Sequence, residues 1–286
     1  MRTHLLIVDP QDHFCDLPLP YQPLDPLTGR LQKPALPVPG SHDDMLRLAE
    51  YIGANSDDID AITISLDGHN KIHIAHPIFW HNRNGEEPKP YDSITADEMI
   101  QGTWMTKDPH FHARAMRYLR KLNAAGKRHT IWPEHCLIGE WGSNIHHAVR
   151  RAVGRWSEKT LRPISYISKG ANLFSEHFGA FAAEVPDPED PSTMFNEAAF
   201  EAVIEADEVI VAGEASSHCV RETVEQIKDA NPLMIERITM LADCMSPVPA
   251  VPDGPDFPAL TRDWFGKMKD LGATITTSVE WRINKS

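Results

Sequence analysis

The chain has 286 residues, enough to bury a sizeable core, and its 41% hydrophobic and 24% charged residues are the balance of an ordinary globular protein. Its net charge of -13 argues against binding a nucleic-acid backbone, which needs clustered Lys and Arg. No run approaches the roughly 20 apolar residues that span a bilayer, so no membrane partner is expected. The opening MRTHLLIVDP also lacks the apolar stretch and cleavage site of a signal peptide, and a cytoplasmic location is expected. The cysteines Cys15, Cys136, Cys219 and Cys244 show no CxxC spacing and read as free thiols.

In chain order, LLIVD (5–9) reads as the first strand. A helix over 42–52 follows, with Met45, Leu48, Ala49 and Ile52 on one face and Ser41 as its N-cap. DAITISLD (60–67) is the second strand, and 111–124 is helical. Its basic cluster, Arg114 to Lys121, reads as a solvated face. RHTIW (128–132) reads as a third strand, with a helix near 144–153, and PISYISKG (163–170) as a fourth. After a helix at 197–205, DEVIVAG (207–213) is the near-continuous apolar run of a strand buried on both faces. A helix over 217–228, a strand over 233–241, a helix over 258–271 and a strand over 273–278 complete the pattern. This β/α alternation predicts an α/β fold with a mostly parallel sheet covered by helices. Irregular stretches lie at 17–40 and 77–109, and EVPDPEDP (184–191) reads as a surface loop.

Sites in open parallel sheets form beyond the carboxyl ends of the strands. Asp9, Asp67 with His69, His135 with Cys136, Lys169, and the segment Glu214 to Cys219 all fall at such ends. Cys219 opens a helix, where unpaired N–H groups and the helix dipole favour a thiolate and can hold an oxyanion. Its alternative is a buried structural cysteine. Asp9 closes an apolar strand, where desolvation suits a proton-transfer group; a turn or capping residue is the alternative. Lys169 precedes Gly170 and could hold a carboxylate and a thiolate as ions, or stand exposed at a strand end. In LDGHNKIHIAH, Asp67 and His69 suit a divalent metal with mixed N and O ligands, near His73 and His76, and His135 could join them. His69 and His73 also fit one face of a surface helix.

Several segments together resemble the isochorismatase-like cysteine hydrolases, in the nicotinamidase-like branch. VDPQDHF (8–14), LDGHNKIH (66–73), WPEHCLIGEWGSNIH (132–146), SKGANLFSEHFGAF (168–181) and AGEASSHCVRETVEQI (212–227) look like that family's motifs, in family order. The resemblance implies a three-layer, Rossmann-like α/β sandwich over 1–286 as a single domain, with a loop-rich insertion at about 77–109. It implies a catalytic triad of Asp9, Lys169 and Cys219. It implies a cis peptide at Glu214–Ala215 and an oxyanion hole from the Ala215 and Cys219 N–H groups. It implies one divalent metal, zinc with iron or manganese as alternatives, on Asp67, His69 and His135, with His73 as an additional ligand or a group behind one. Glu214 stands where the family commonly has an apolar residue, and His76 has no family counterpart.

The reaction so implied is hydrolysis of a linear C–N amide bond, nicotinamide to nicotinate and ammonia, through a Cys219 thioester. The partner is a small-molecule amide, and a homo-oligomer is expected. Another small amide, or an N-carbamoyl or ureido compound, is a second reading on the same triad, against which the metal ligands count. A catalytically silent binding protein of the same fold is a third, against which the intact triad counts.

Overall fold

The computed structural model describes residues 1–250 and 254–283. Its strands are β1 (Thr3–Val8), β2 (Ala61–Asp67), β3 (Trp80–His81), β4 (Ser93–Ile94), β5 (Met105–Thr106), β6 (His129–Thr130), β7 (Ser165–Lys169), β8 (Glu208–Gly213), β9 (Ile238–Leu241) and β10 (Thr274–Thr276). Its helices are α1 (Ser41–Ala54), α2 (Ala96–Ile100), α3 (His112–Ala124), α4 (His147–Thr160), α5 (Glu197–Ile204), α6 (Cys219–Ala230) and α7 (Phe257–Asp270). Six strands form one parallel sheet in the order β10-β9-β8-β1-β2-β7. No helix among the described residues is long and apolar enough to cross a membrane.

The alternation within β1 and β8 explains the layers. Leu6, Val8, Val209 and Val211 face one way and pack on Val203 of α5, Val224 and Ile227 of α6 and Trp264 of α7. Leu5, Ile7, Ile210 and Ala212 face the other way, onto Met45 and Leu48 of α1 and Val153 and Trp156 of α4. Both faces are covered, so β1 and β8 are buried along their whole length and mostly apolar, as the run at 207–213 anticipates. The sheet order reverses between β8 and β1, and the crevice beyond their carboxyl ends is where such folds place a site.

Four sequence expectations change. The strand over 128–132 shrinks to β6, which pairs antiparallel with β4 outside the main sheet. Ile131 is spent in a separate core with Trp80, Ile94 and Leu119, so this segment is drawn to the insertion and not to the sheet. Residues 232–237 are a 3-10 turn led by Pro232, and β9 begins only at Ile238, where Val209 of β8 offers a partner. Ser41 is the first residue of α1, with Gly40 before it as N-cap; the Ser41 hydroxyl reaches the Val38 carbonyl. The 77–109 insertion is more than loop: it carries α2, three short strands and a core of its own shared with α3.

Candidate active site

β1 lies between β2 and β8, and its last step delivers Asp9 to the crevice. Asp9 adopts a positive φ of 44°, uncommon outside glycine and typical of functional positions. Its N–H reaches the Ser65 carbonyl at 3.1 Å, and its Oδ1 accepts from Ser65 Oγ at 2.6 Å. β7 pairs with β2 so that Lys169 stands beside Asp67. The Lys169 ammonium, wholly buried, lies 2.8 Å from Asp9 Oδ2 and 3.3 Å from Asp67 Oδ1, and donates to the His177 carbonyl at 2.9 Å. Its Nζ is 3.8 Å from Cys219 Sγ. Gly170, at φ 85°, must be glycine: a Cβ there would fall 2.5 Å from Asp67 Oδ1.

Cys219 is the first residue of α6, two residues later than the sequence pattern set the helix start. Val220, Val224 and Ile227 anchor that helix in the core, which fixes the sulfur at the crevice. The Glu214–Ala215 peptide is cis. Among the described residues, the N–H groups of Ala215 and Cys219 have no acceptor, so both are free to hold an oxyanion. Behind them the buried Glu214 accepts from the Ser246 N–H at 3.2 Å. Burial, then the Asp44 charge, pushes the Glu214 carboxyl well above the usual range, so an acid can occupy a place that an apolar residue commonly fills.

Burial pushes the Cys219 thiol well up as well, and the Lys169 charge only partly opposes it. Helix position therefore does not by itself make a resting thiolate here; desolvation outweighs it. Burial also raises the Asp9 carboxyl, again opposed by Lys169. Lys169 is disfavoured by burial, but Asp67, Asp9 and Cys219 outweigh that and hold it charged. The resting site is thus a neutral thiol beside a buried ion pair.

Next to the triad stands a histidine cluster. Segment 68–76 is irregular, not a helix, so the surface-helix reading of His69 and His73 falls. His135 arrives on a loop, because β6 ends at Thr130. That loop is laced to the 69–75 segment: His69 N–H donates to the Cys136 carbonyl at 3.0 Å and Trp132 N–H to the Ala75 carbonyl at 2.8 Å. His135 donates from Nδ1 to the Pro133 carbonyl at 2.8 Å, which turns Nε2 toward Asp67 Oδ2, 3.4 Å away. His69 Nδ1 donates to the Gly170 carbonyl at 3.0 Å, and its Nε2 is 2.8 Å from Asp67 Oδ2. Asp67, His69 and His135 bring donor atoms within 4.8 Å of one another, and so do His69, His73 and His76. The Nε2 atoms of His73 and His76 are buried without a hydrogen-bond partner among the described residues. One carboxylate oxygen and several imidazoles, with the Nδ1 hydrogen bonds of His69 and His135 fixing ring orientation, fit a borderline divalent ion.

Sequence reasoning did not single out several residues that complete the site. Gln11 brackets Asp67, accepting from its N–H and donating to its carbonyl, each at 2.7 Å. Glu176 is buried with Oε1 3.6 Å from His73 Nδ1. Both sit inside motif segments, VDPQDHF and SKGANLFSEHFGAF, but nothing in their spacing distinguishes them from loop residues. Cys219, Asp67, His69 and His135 line one cavity, with Phe14, Leu36, Trp132 and Phe178 as apolar wall. The cavity thus sets the sulfur and the imidazoles on one shared lining.

No protein-family model matches the chain, and no curated protein sequence matches it. Solved structures do. The yeast nicotinamidase bound to the inhibitor nicotinaldehyde is 18% identical, with a TM-score of 0.59 over 96% of this chain and 99% of that one. An Acinetobacter baumannii nicotinamidase/pyrazinamidase is 16% identical, with a TM-score of 0.59 over 98% and 97%. The Pyrococcus horikoshii pyrazinamidase in complex with zinc is 16% identical, with a TM-score of 0.50 over 97% and 99%. The chain therefore has the α/β fold of the nicotinamidases and pyrazinamidases, from end to end of both partners.

Proposed function

We propose that the chain is a cysteine amidohydrolase that hydrolyses a small carboxamide, with nicotinamide as the leading substrate, and that Asp9, Lys169 and Cys219 are its catalytic residues. The observation that carries this reading is one buried constellation: Lys169 Nζ lies 2.8 Å from Asp9 and 3.8 Å from the Cys219 sulfur, on the cavity shared with the histidine cluster.

Asp9 takes the thiol proton as the Cys219 sulfur attacks the carboxamide carbon. The carbonyl oxygen, now an oxyanion, rests on the Ala215 and Cys219 N–H groups. Asp9 returns the proton to the nitrogen, the C–N bond breaks and ammonia leaves a Cys219 thioester. A water then gives a proton to Asp9 and its oxygen to the acyl carbon, and sulfur departs to be reprotonated. Lys169 stays charged throughout and opposes the burial that raises the Asp9 carboxyl, which favours the ionised form that can accept the proton. Asp67, His69 and His135, with His73 and His76 behind them, would hold the metal, which supplies a Lewis-acid contact for a substrate nitrogen or oxygen. The cavity's aromatic wall orients the ring and excludes water.

The structures similar to this chain include one bound to nicotinaldehyde and one in complex with zinc, which supports the same substrate class and ion. Wild type should release ammonia from nicotinamide. Cys219→Ala should lower kcat by on the order of 10³-fold or more while its metal content by mass spectrometry is unchanged. Activity surviving in that variant would show that another group is the nucleophile.

A further inference from the structure

A second cavity, of about 440 Å³, adjoins the reaction cavity and lies within the range of small-molecule pockets, roughly 300–1,000 Å³. The two share Trp132, Phe178 and His218. These rings meet edge to face, with centroids 5.4 Å apart for Trp132 and His218 and 5.7 Å for Phe178 and His218, and form a collar between the chambers. Arg221 lies two residues beyond Cys219 on α6 and lines the second chamber, as does Arg128.

The charges on that wall are unevenly matched. Lys127 is engaged by Glu184 at 2.6 Å and by Glu222 at 2.7 Å. The side chains of Arg128 and Arg221 make no ion pair or hydrogen bond among the described residues. The described lining holds three cations and three carboxylates, so it carries no excess charge, but Glu184 and Glu222 are taken by Lys127 and Glu176 lies 3.6 Å from His73 Nδ1, which leaves Arg128 and Arg221 unmatched. Two guanidinium groups without counter-ions, beside a collar that opens on the nucleophile, suit a planar monoanion taken in bidentate fashion.

We propose that the preferred substrate is an amide with a carboxylate arm that passes the Trp132–Phe178–His218 collar and is held by Arg128 and Arg221. This rests on the reading of the first cavity as an amidase site. Nicotinamide has no carboxylate arm to reach the second chamber.

The test uses the full metal-loaded chain and ammonia release from adipamate and hexanamide, matched in length and differing in the terminal carboxylate, with nicotinamide as the compact reference. Wild type should show a kcat/KM for adipamate about tenfold or more above that for hexanamide. In the double variant Arg128→Gln, Arg221→Gln that ratio should fall to about one; it is taken within each protein, so a general loss of activity cancels. Adipamate cleaved no faster than hexanamide, or both inert while nicotinamide reacts, overturns the chamber assignment and leaves the amidase reading standing. The same holds for a ratio that the double variant does not change, or for a stronger preference for 5-phosphonopentanamide. No ammonia from any amide, nicotinamide included, removes the amidase reading and this inference with it.

Discussion

Lys169 joins two buried carboxylates and a thiol, and its own ammonium is wholly buried. Replacing it by Met leaves Asp9 and Asp67 facing each other without a cation. Breaking a buried pair in this way costs about 3–5 kcal/mol, so Lys169→Met should unfold at lower urea and show no turnover. Asp9→Asn is the milder change. It keeps shape and the Ser65 contact but cannot take the thiol proton. On the proposed mechanism its kcat should fall by about 10²–10⁴-fold, with urea unfolding displaced far less than in Lys169→Met. Equal destabilisation in the two variants would make Asp9 structural. Cys219, Asp9 and Lys169 stand out in the sequence because each follows an apolar strand or opens a helix. Gln11, Ser65 and Glu176 do not, because their importance lies in which atom they face, and that is set by the strand pairing.

The end of β8 shows how backbone geometry serves the site. Gly213, at φ 120°, follows five buried residues, and a Cβ there would overlap the Val8 carbonyl. Gly213→Ala should therefore push β8 from β1, lower the melting temperature, and displace Ala215 and the oxyanion-hole N–H groups. A melting temperature equal to that of wild type would show that the strand ends can separate without penalty. The strands and amphipathic helices of the main sheet were legible, since alternation and three- and four-residue steps reflect the layer each face meets. The 128–132 and 233–237 runs were misread for one reason. An apolar β-rich run becomes a strand only where a partner backbone lies open, and here the insertion and the start of β8 took that choice away.

At the scale of the molecule, buried histidines tie folding to pH. His4 lies in β1 with Nε2 2.8 Å from Thr63 Oγ1, and burial, helped by the Arg2 charge, lowers it to about 4. An unfolded histidine binds its proton near 6.5, so between pH 6.5 and 4 the unfolded chain holds a proton that the folded chain lacks at this position. Stability from His4 is complete above 6.5 and drains away as the pH falls toward 4. Asp12, raised to about 7 by burial, and Glu184, also raised to about 7, act with the opposite sign, losing stability as pH rises from about 4 to 7. Comparison with His4→Gln isolates one contribution. The variant's unfolding free energy should depend less on pH over 4–6.5, by on the order of 2–3 kcal/mol across the window, measured by urea titration at each pH. Parallel pH profiles would show that His4 titrates alike in both states.

The sequence by itself determined the β/α alternation, the strand-end positions of Asp9, Asp67 and Lys169, and the helix-opening position of Cys219, because each is a matter of local pattern. It also marked 66–76 as a histidine-rich segment. Only the tertiary structure decided that Lys169 reaches across β2 to Asp9, that His135 comes from a loop laced to 69–75 and not from a sheet strand, and that His76 joins the cluster. It alone decided that the Cys219 thiol is held neutral by burial, against the pull of its helix. Those outcomes depend on pairing register and desolvation, which arise between segments far apart in the chain and leave no local mark.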